Sequence, residues 1–140
     1  MRKLSVITIL CAILILFTAC QGGISGDEAK SAVSEMARCL SEKRYEDAEA
    51  LCHPDSDISA EILEAYISEC EEKYGVDFTR GISIQGYTNI SMAYYDSEVD
   101  GSFYAMTAKV KVGDQSLKMD VEMVKNDLGY GIRFLRFMEA

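Results

Sequence analysis

The chain has 140 residues, 49% of them apolar, and a formal net charge of −9. That length accommodates one compact domain, and that apolar content is enough for a real core, which argues against wholesale disorder. So acidic a surface is repelled by phosphate backbones and by anionic lipid headgroups, so nucleic acid is excluded as a partner and no basic patch can hold the chain on a membrane.

Met1-Arg2-Lys3 is a short positive start, and Leu4 to Phe17 is an uncharged apolar run. The run is shorter than the ~20 residues that cross a bilayer but fits the apolar region of an export signal. It closes on Phe17-Thr18-Ala19-Cys20. Small residues before a cysteine resemble the lipobox of bacterial lipoproteins, although Phe17 stands where such boxes usually carry Leu. The resemblance implies a leader over 1–19, cleavage before Cys20, and diacylglycerol on the Cys20 sulfur, since only a thiol supplies the nucleophile for lipid transfer. The domain would then be extracytoplasmic and anchored to the bacterial membrane by that lipid. An ordinary secretory signal with an incidental cysteine is the alternative. Removing the leader takes away Arg2 and Lys3, leaving 12 basic against 23 acidic side chains, or −11. Gln21 to Gly26 reads as a flexible tether of at most ~20 Å at ~3.3–3.6 Å per residue, so the domain, from residue 27 to 140, would hover close to the bilayer.

Ser25-Gly26-Asp27-Glu28 has the form of a capping box. Behind it Ala29, Ala32, Val33, Met36, Ala37 and Leu40 follow the spacing of one helix face, and the helix is expected to end near Ser41. A second helix is expected over about Tyr45 to Cys52, closed by Pro54, the only proline. Asp57 or Ser59 would cap a third, with Ile62, Leu63, Tyr66, Ile67, Cys70 and Tyr74 as its buried stripe and Gly75 just past its end. Glu61, Glu64, Glu69, Glu71 and Glu72 lie off that stripe and read as a solvated face. No metal-ligand spacing is present.

From Ile82 the apolar period changes to two. A first strand, or a bent pair, spans about Ile82 to Tyr95, with a bulge or bend at Gly86. After a turn over Asp96 to Gly101, alternation resumes at Tyr104, Met106, Ala108, Val110 and Val112. Gly113-Asp114 suits a type II′ hairpin turn, which sets Val110 beside Leu117, Ala108 beside Met119, Met106 beside Val121 and Tyr104 beside Met123. A one-residue slip would mix apolar and polar faces, which makes this register specific. A second hairpin through Asn126 to Gly129 is expected to pair Lys125 with Tyr130, Met123 with Ile132, Val121 with Phe134, and Glu122 with Arg133.

The fold class is therefore α+β: two or three N-terminal helices on a curved antiparallel meander of three to four strands. Arg44-Tyr45-Glu46-Asp47-Ala48 after the first helix, the Gly113-Asp114 hairpin and Tyr130-Gly131-Ile132 opening the last strand make this pattern similar to the NTF2-like, cystatin-like family over residues 27–138. The family often has Trp-x-Ile at that last position, and this chain has no Trp. The short strand many members carry between the second and third helices is not evident around His53 to Asp57. That family includes enzymes, binding modules and dimerisation domains, so the likeness alone assigns no function.

No catalytic constellation or cofactor motif stands out. His53, the only histidine, reads as a cap or exposed loop residue. Cys39, Cys52 and Cys70 lie on or beside apolar helix faces and read as buried thiols, with one disulfide among them open in an oxidising compartment. Met92, Met106, Met119, Met123 and Met138 fall singly at strand positions, as core filling. Strict alternation puts Arg136 on the inward face, where with Tyr104 and Tyr87 it would hold an anionic or polar ligand in an NTF2-like cone. A bulge near Leu135 would instead turn Leu135 and Phe137 inward and send Arg136 to water, and the irregularity common at strand ends favours it. The leading expectation is a non-enzymatic, anchored module that binds a small ligand or another envelope protein, with the outer sheet face available for a homodimer. The alternatives are an isomerase- or dehydratase-type enzyme, against which the outward positions of Asp120 and Glu122 count, and an immunity or inhibitor lipoprotein.

Overall fold

The computed structural model describes residues 22–140, so the leader 1–19, Cys20 and Gln21 lie outside the described residues. Helix α1 (Gly26–Ser41) starts where its caps dictate. The Glu28 amide donates to Ser25 Oγ at 3.1 Å and the Ser25 amide donates back to Glu28 Oε2 at 3.4 Å. Ala29, Val33, Met36, Ala37 and Leu40 are buried along its inner side. Helix α2 (Tyr45–Ala50) is short, and stops before Cys52. Helix α3 (Ala60–Tyr74) is capped by Ser59, whose Oγ accepts from the Ile62 amide, and it ends on Gly75 in the left-handed region at φ 64. Its buried stripe is Leu63, Ile67 and Cys70, flanked by half-buried Tyr66 and Tyr74, whereas Ile62 is exposed, contrary to the periodic pattern. One turn of 3₁₀ helix (Phe78–Arg80) then buries Phe78 completely, and the Phe78 amide donates to Glu71 Oε2.

Four strands follow in a single antiparallel sheet whose order is the chain order: β1 (Ile82–Asp96), β2 (Gly101–Val112), β3 (Gln115–Asn126) and β4 (Gly129–Glu139). The β2–β3 register is the one the alternation requires, including Lys109 opposite Lys118, and Gly113 takes φ 59 at the turn. Strand β1 is continuous but slips against β2 in three places, between Ile84 and Gly86, Thr88 and Ser91, and Ala93 and Asp96. Each extra residue bends the strand and adds twist, so β1 supplies much of the sheet's curvature.

The second hairpin begins as expected, with Lys125 opposite Tyr130 and Met123 opposite Ile132, then departs from it. Arg133 is an extra residue, so Glu122 faces Phe134, Val121 faces Leu135 and Asp120 faces Arg136. The expected Glu122–Arg133 and Val121–Phe134 pairs are therefore absent. Beyond the bulge Leu135 and Phe137 turn towards the helices while Phe134, Arg136 and Met138 face outward. The placement of Arg136 inside a cone with Tyr104 and Tyr87 is overturned by that single inserted residue.

Helices and sheet share one core, in which Phe78, Met36, Leu40, Ile67, Met119, Met123 and Ile132 are almost fully buried. Side chains of this size each contribute about 1.5–3 kcal/mol on burial. Met106 belongs to the same core, but Met92 is half exposed and Met138 lies on the outer face, so those two do not fill it. Two tyrosines of α3 bracket the last strand: the Phe137 amide donates to the Tyr66 hydroxyl at 2.7 Å, and the Tyr74 hydroxyl donates to the Phe137 carbonyl at 3.1 Å.

Between α2 and α3 the chain does make a short sheet contact, which the sequence pattern hid. Cys52 forms a parallel bridge with Ile132. The His53 amide donates to Ile132 O at 2.8 Å and the Ile132 amide to Leu51 O at 2.9 Å. At the other end, the expected tether is partly docked: Ile24 is 4% exposed, and a Cβ on Gly23 would come within 2.7 Å of the Tyr94 ring.

Candidate functional site

Tyr104, Tyr87 and Arg136 do not meet. Tyr104 is buried in the core beside Gly26, and Tyr87 is half-buried with the Lys30 ammonium 5.4 Å from its ring centre. Arg136 lies on the opposite face of the sheet.

On that outer face, one polar residue from each strand joins a continuous chain. Asn89, held at φ 52 within a bulge of β1, donates through Nδ2 to Thr107 Oγ1 of β2 at 3.4 Å. The Thr107 hydroxyl, which is buried, donates to Asp120 Oδ1 of β3 at 2.7 Å. Arg136 of β4 donates through Nη2 to Asp120 Oδ2 at 3.0 Å. The guanidinium also stands 5.7 Å from the centre of the Phe134 ring, within reach of a cation–π attraction. A shallow depression of about 440 Å³ opens over this chain, with Glu122, Phe134 and Met138 around it. The chain fixes the direction of Arg136 while leaving 55% of its side chain exposed, so the cation is oriented and still accessible. Asp120 spends both oxygens on protein donors. The arrangement can present a planar cation and an aromatic ring to another surface. Alternation had marked Asp120 as outward and the regular β2–β3 register sets it opposite Thr107, but the links to Asn89 and to Arg136 depend on the extra residues being taken up in the bulges at Asn89 and Arg133.

A second polar cleft, of about 260 Å³, lies where the β1–β2 and β3–β4 turns meet the α2–α3 connection, and its wall includes His53, Asp100, Asn126, Asp127 and Arg133. His53 is not exposed, as a turn residue would be. It is 2% accessible, and both ring nitrogens are engaged. The Asp55 amide donates to Nδ1 at 3.0 Å, so the neutral ring carries its proton on Nε2 and donates it to Asn126 Oδ1 at 2.9 Å. Asn126 in turn donates to Val99 O and accepts from the Leu128 amide. The histidine ties three connections together. Sequence spacing gave no hint of this, because its partner is 73 residues away.

Cys39, Cys52 and Cys70 are buried, free thiols. Burial pushes all three upward, Cys52 to about 11, which removes nucleophilic character at neutral pH. Among the described residues no group of three or more His, Cys, Asp or Glu is placed to hold a metal ion. The Glu residues of α3 point largely to solvent, apart from the half-buried Glu71. Among the described residues no helix is long and apolar enough to cross a membrane.

No family model matches the chain, and no curated protein matches it.

Proposed function

We propose that this chain is a bacterial lipoprotein, cleaved before and acylated on Cys20, whose NTF2-like domain is a non-enzymatic module that binds another protein of the cell envelope through the outer face of its sheet. The observation that carries the binding role is the Asp120-clamped Arg136 beside Phe134. Arginine and aromatic side chains dominate the energetic centres of protein interfaces, and a pre-oriented pair loses little conformational freedom on binding. The NTF2-like assignment is supported by the order of helices and meander, and by the Cys52–Ile132 bridge where many members carry a short strand. The non-enzymatic role is supported by the engagement of both His53 nitrogens and both Asp120 oxygens. A cone enzyme needs a carboxylate or histidine free to titrate among the helices, and Asp120 and Glu122 face away from them.

Photo-crosslinking in intact cells tests the role. A crosslinker at Met138 should capture a discrete partner, which is lost in the Arg136→Glu variant and is not captured by a crosslinker at Glu61 on α3. A homodimer would appear as an adduct of twice the chain's mass. Equal capture at the two positions, or capture indifferent to Arg136→Glu, would refute the outer-face interface.

A further inference from the structure

Gly22 and Gly23 meet the domain at the end of the sheet that carries the β1–β2 and β3–β4 turns. Four of the exposed large apolar or aromatic side chains gather there: Tyr94 at 77% accessible, Tyr95 at 66%, Leu128 at 64% and Tyr130 at 38%. Gly22, the three tyrosines and Lys125 line one open groove, and Leu128 projects from the adjoining β3–β4 turn. Nothing in the fold requires such residues at its rim, since none of the four packs against the buried core.

We propose that this end of the domain is a membrane-docking surface, with Tyr94, Tyr95, Tyr130 and Leu128 seated in the headgroup layer of the bilayer that holds the lipid on Cys20. The proposal rests on the acylation put forward above, and the length of the tether selects the occupant. Ile24 is buried and Gly23 lies against Tyr94, so the chain is fixed to the domain up to that point. Only two peptide steps separate Gly22 from Cys20, a reach of ~7 Å at ~3.3–3.6 Å each. The polar layer of a bilayer is itself ~5–8 Å deep on each side, so an acylated Cys20 holds the groove within that layer. Tyrosine suits that depth, its ring being apolar and its hydroxyl wet. Lys125 stands 6.0 Å from the Tyr130 ring centre, positioned to extend its ammonium to lipid phosphates. Asp96, Glu98, Asp100 and Asp127 surround the same end, so the surface matches zwitterionic headgroups and is repelled by anionic ones.

The chain contains no Trp, so a single introduced indole is an unambiguous reporter. The full chain, acylated in a bacterial host, is reconstituted into phosphatidylcholine vesicles with and without bromine on the acyl chains near the headgroups. Two exposed positions are compared: Tyr95→Trp at the proposed surface, and Lys111→Trp some ten residues along β2 from Gly101, ~33 Å away at ~3.3 Å per residue. The Tyr95→Trp variant should lose at least half its emission to bromine and shift to the blue. The Lys111→Trp variant should change by less than a tenth. Adding Leu128→Glu, or raising the phosphatidylglycerol content, should restore emission from position 95. Unquenched emission at position 95 from a chain that floats with the vesicles would mean an anchored domain standing clear of lipid, which overturns docking and leaves anchoring intact. A Cys20 peptide lacking acyl mass, from a chain that does not float, would remove the anchor and docking with it. A blue shift in native membranes but not in pure lipid would give the groove to a protein, and equally overturns the proposal.

Discussion

A methyl group on Gly131 should cost the domain much of its stability, whereas the same change at Gly86 should cost nothing. Neither glycine has a positive φ, so backbone strain does not separate them. Surroundings do. A Cβ on Gly131 would lie 2.5 Å from both the Cys52 carbonyl carbon and the His53 nitrogen, backbone atoms that cannot yield without moving the whole segment. A Cβ on Gly86 meets nothing within 4 Å. Displacing the Leu51–His53 segment breaks the two hydrogen bonds it shares with Ile132. Each is worth about 0.5–1.5 kcal/mol, rising to ~1–3 where a buried donor is left unpaired, and alanine returns ~0.4–1 by restricting the unfolded chain. The net expectation for Gly131→Ala is a loss of about 2–4 kcal/mol, a large part of the ~5–15 typical of a domain. Gly86→Ala should be neutral, or stabilising by ~0.4–1 kcal/mol. Urea unfolding of both variants, followed by far-UV circular dichroism, measures the difference. A Gly131→Ala loss below ~1 kcal/mol with an unchanged m-value would show that the α2–α3 connection does not depend on this close approach.

The neutral His53 ring should carry its proton on Nε2 alone, which ¹⁵N-resolved imidazole spectra at alkaline pH would show; an Nδ1–H tautomer would contradict the bond from the Asp55 amide. Arg136→Ala should change folding stability by no more than ~1 kcal/mol, because the arginine end of the pair is exposed and Asp120 keeps the Thr107 hydroxyl, while abolishing the partner adduct at Met138. Burial raises Cys52 from 9.0 to about 11 and Tyr130 from 10.0 to about 12, so the unfolded chain gives up these protons first. Their contribution to stability is whole below pH 9 and is lost as pH rises from about 9 to 12, a trend that urea midpoints across that range would detect or dismiss. The three thiols should react with a disulfide reagent at neutral pH only as fast as the domain opens, so native and unfolded rates should differ by orders of magnitude.

The parts legible in the sequence were those in which each residue's choice agreed with its neighbours'. Ser25 and Glu28 cap each other three residues apart, and the β2–β3 register follows because every inward partner from Tyr104 to Val110 is apolar. The last strand was ambiguous because Phe134 and Met138 satisfy one parity while Leu135 and Phe137 satisfy the other. Only Arg136, a charge in an otherwise apolar set, signalled that the alternation had slipped. His53 and Gly131 were illegible for a different reason. Their environments are made by contacts between segments about 75 residues apart, and local periodicity carries no trace of such contacts. Ile24 was hidden by its company, since a lone apolar residue among glycines looks like linker until it is buried in the core.

The extra residue at Arg133 gives β4 an uncommon genetic property. Deleting that one codon would remove the bulge yet leave the later pairs as they are, because Ile132 and Phe134 already face the consecutive residues Met123 and Glu122. Leu135 and Phe137 would stay against the helices and Arg136 opposite Asp120, with only the local bend lost. The binding face is thus specified by the partners across β3 rather than by the number of residues in β4, and it would survive the in-frame loss of Arg133.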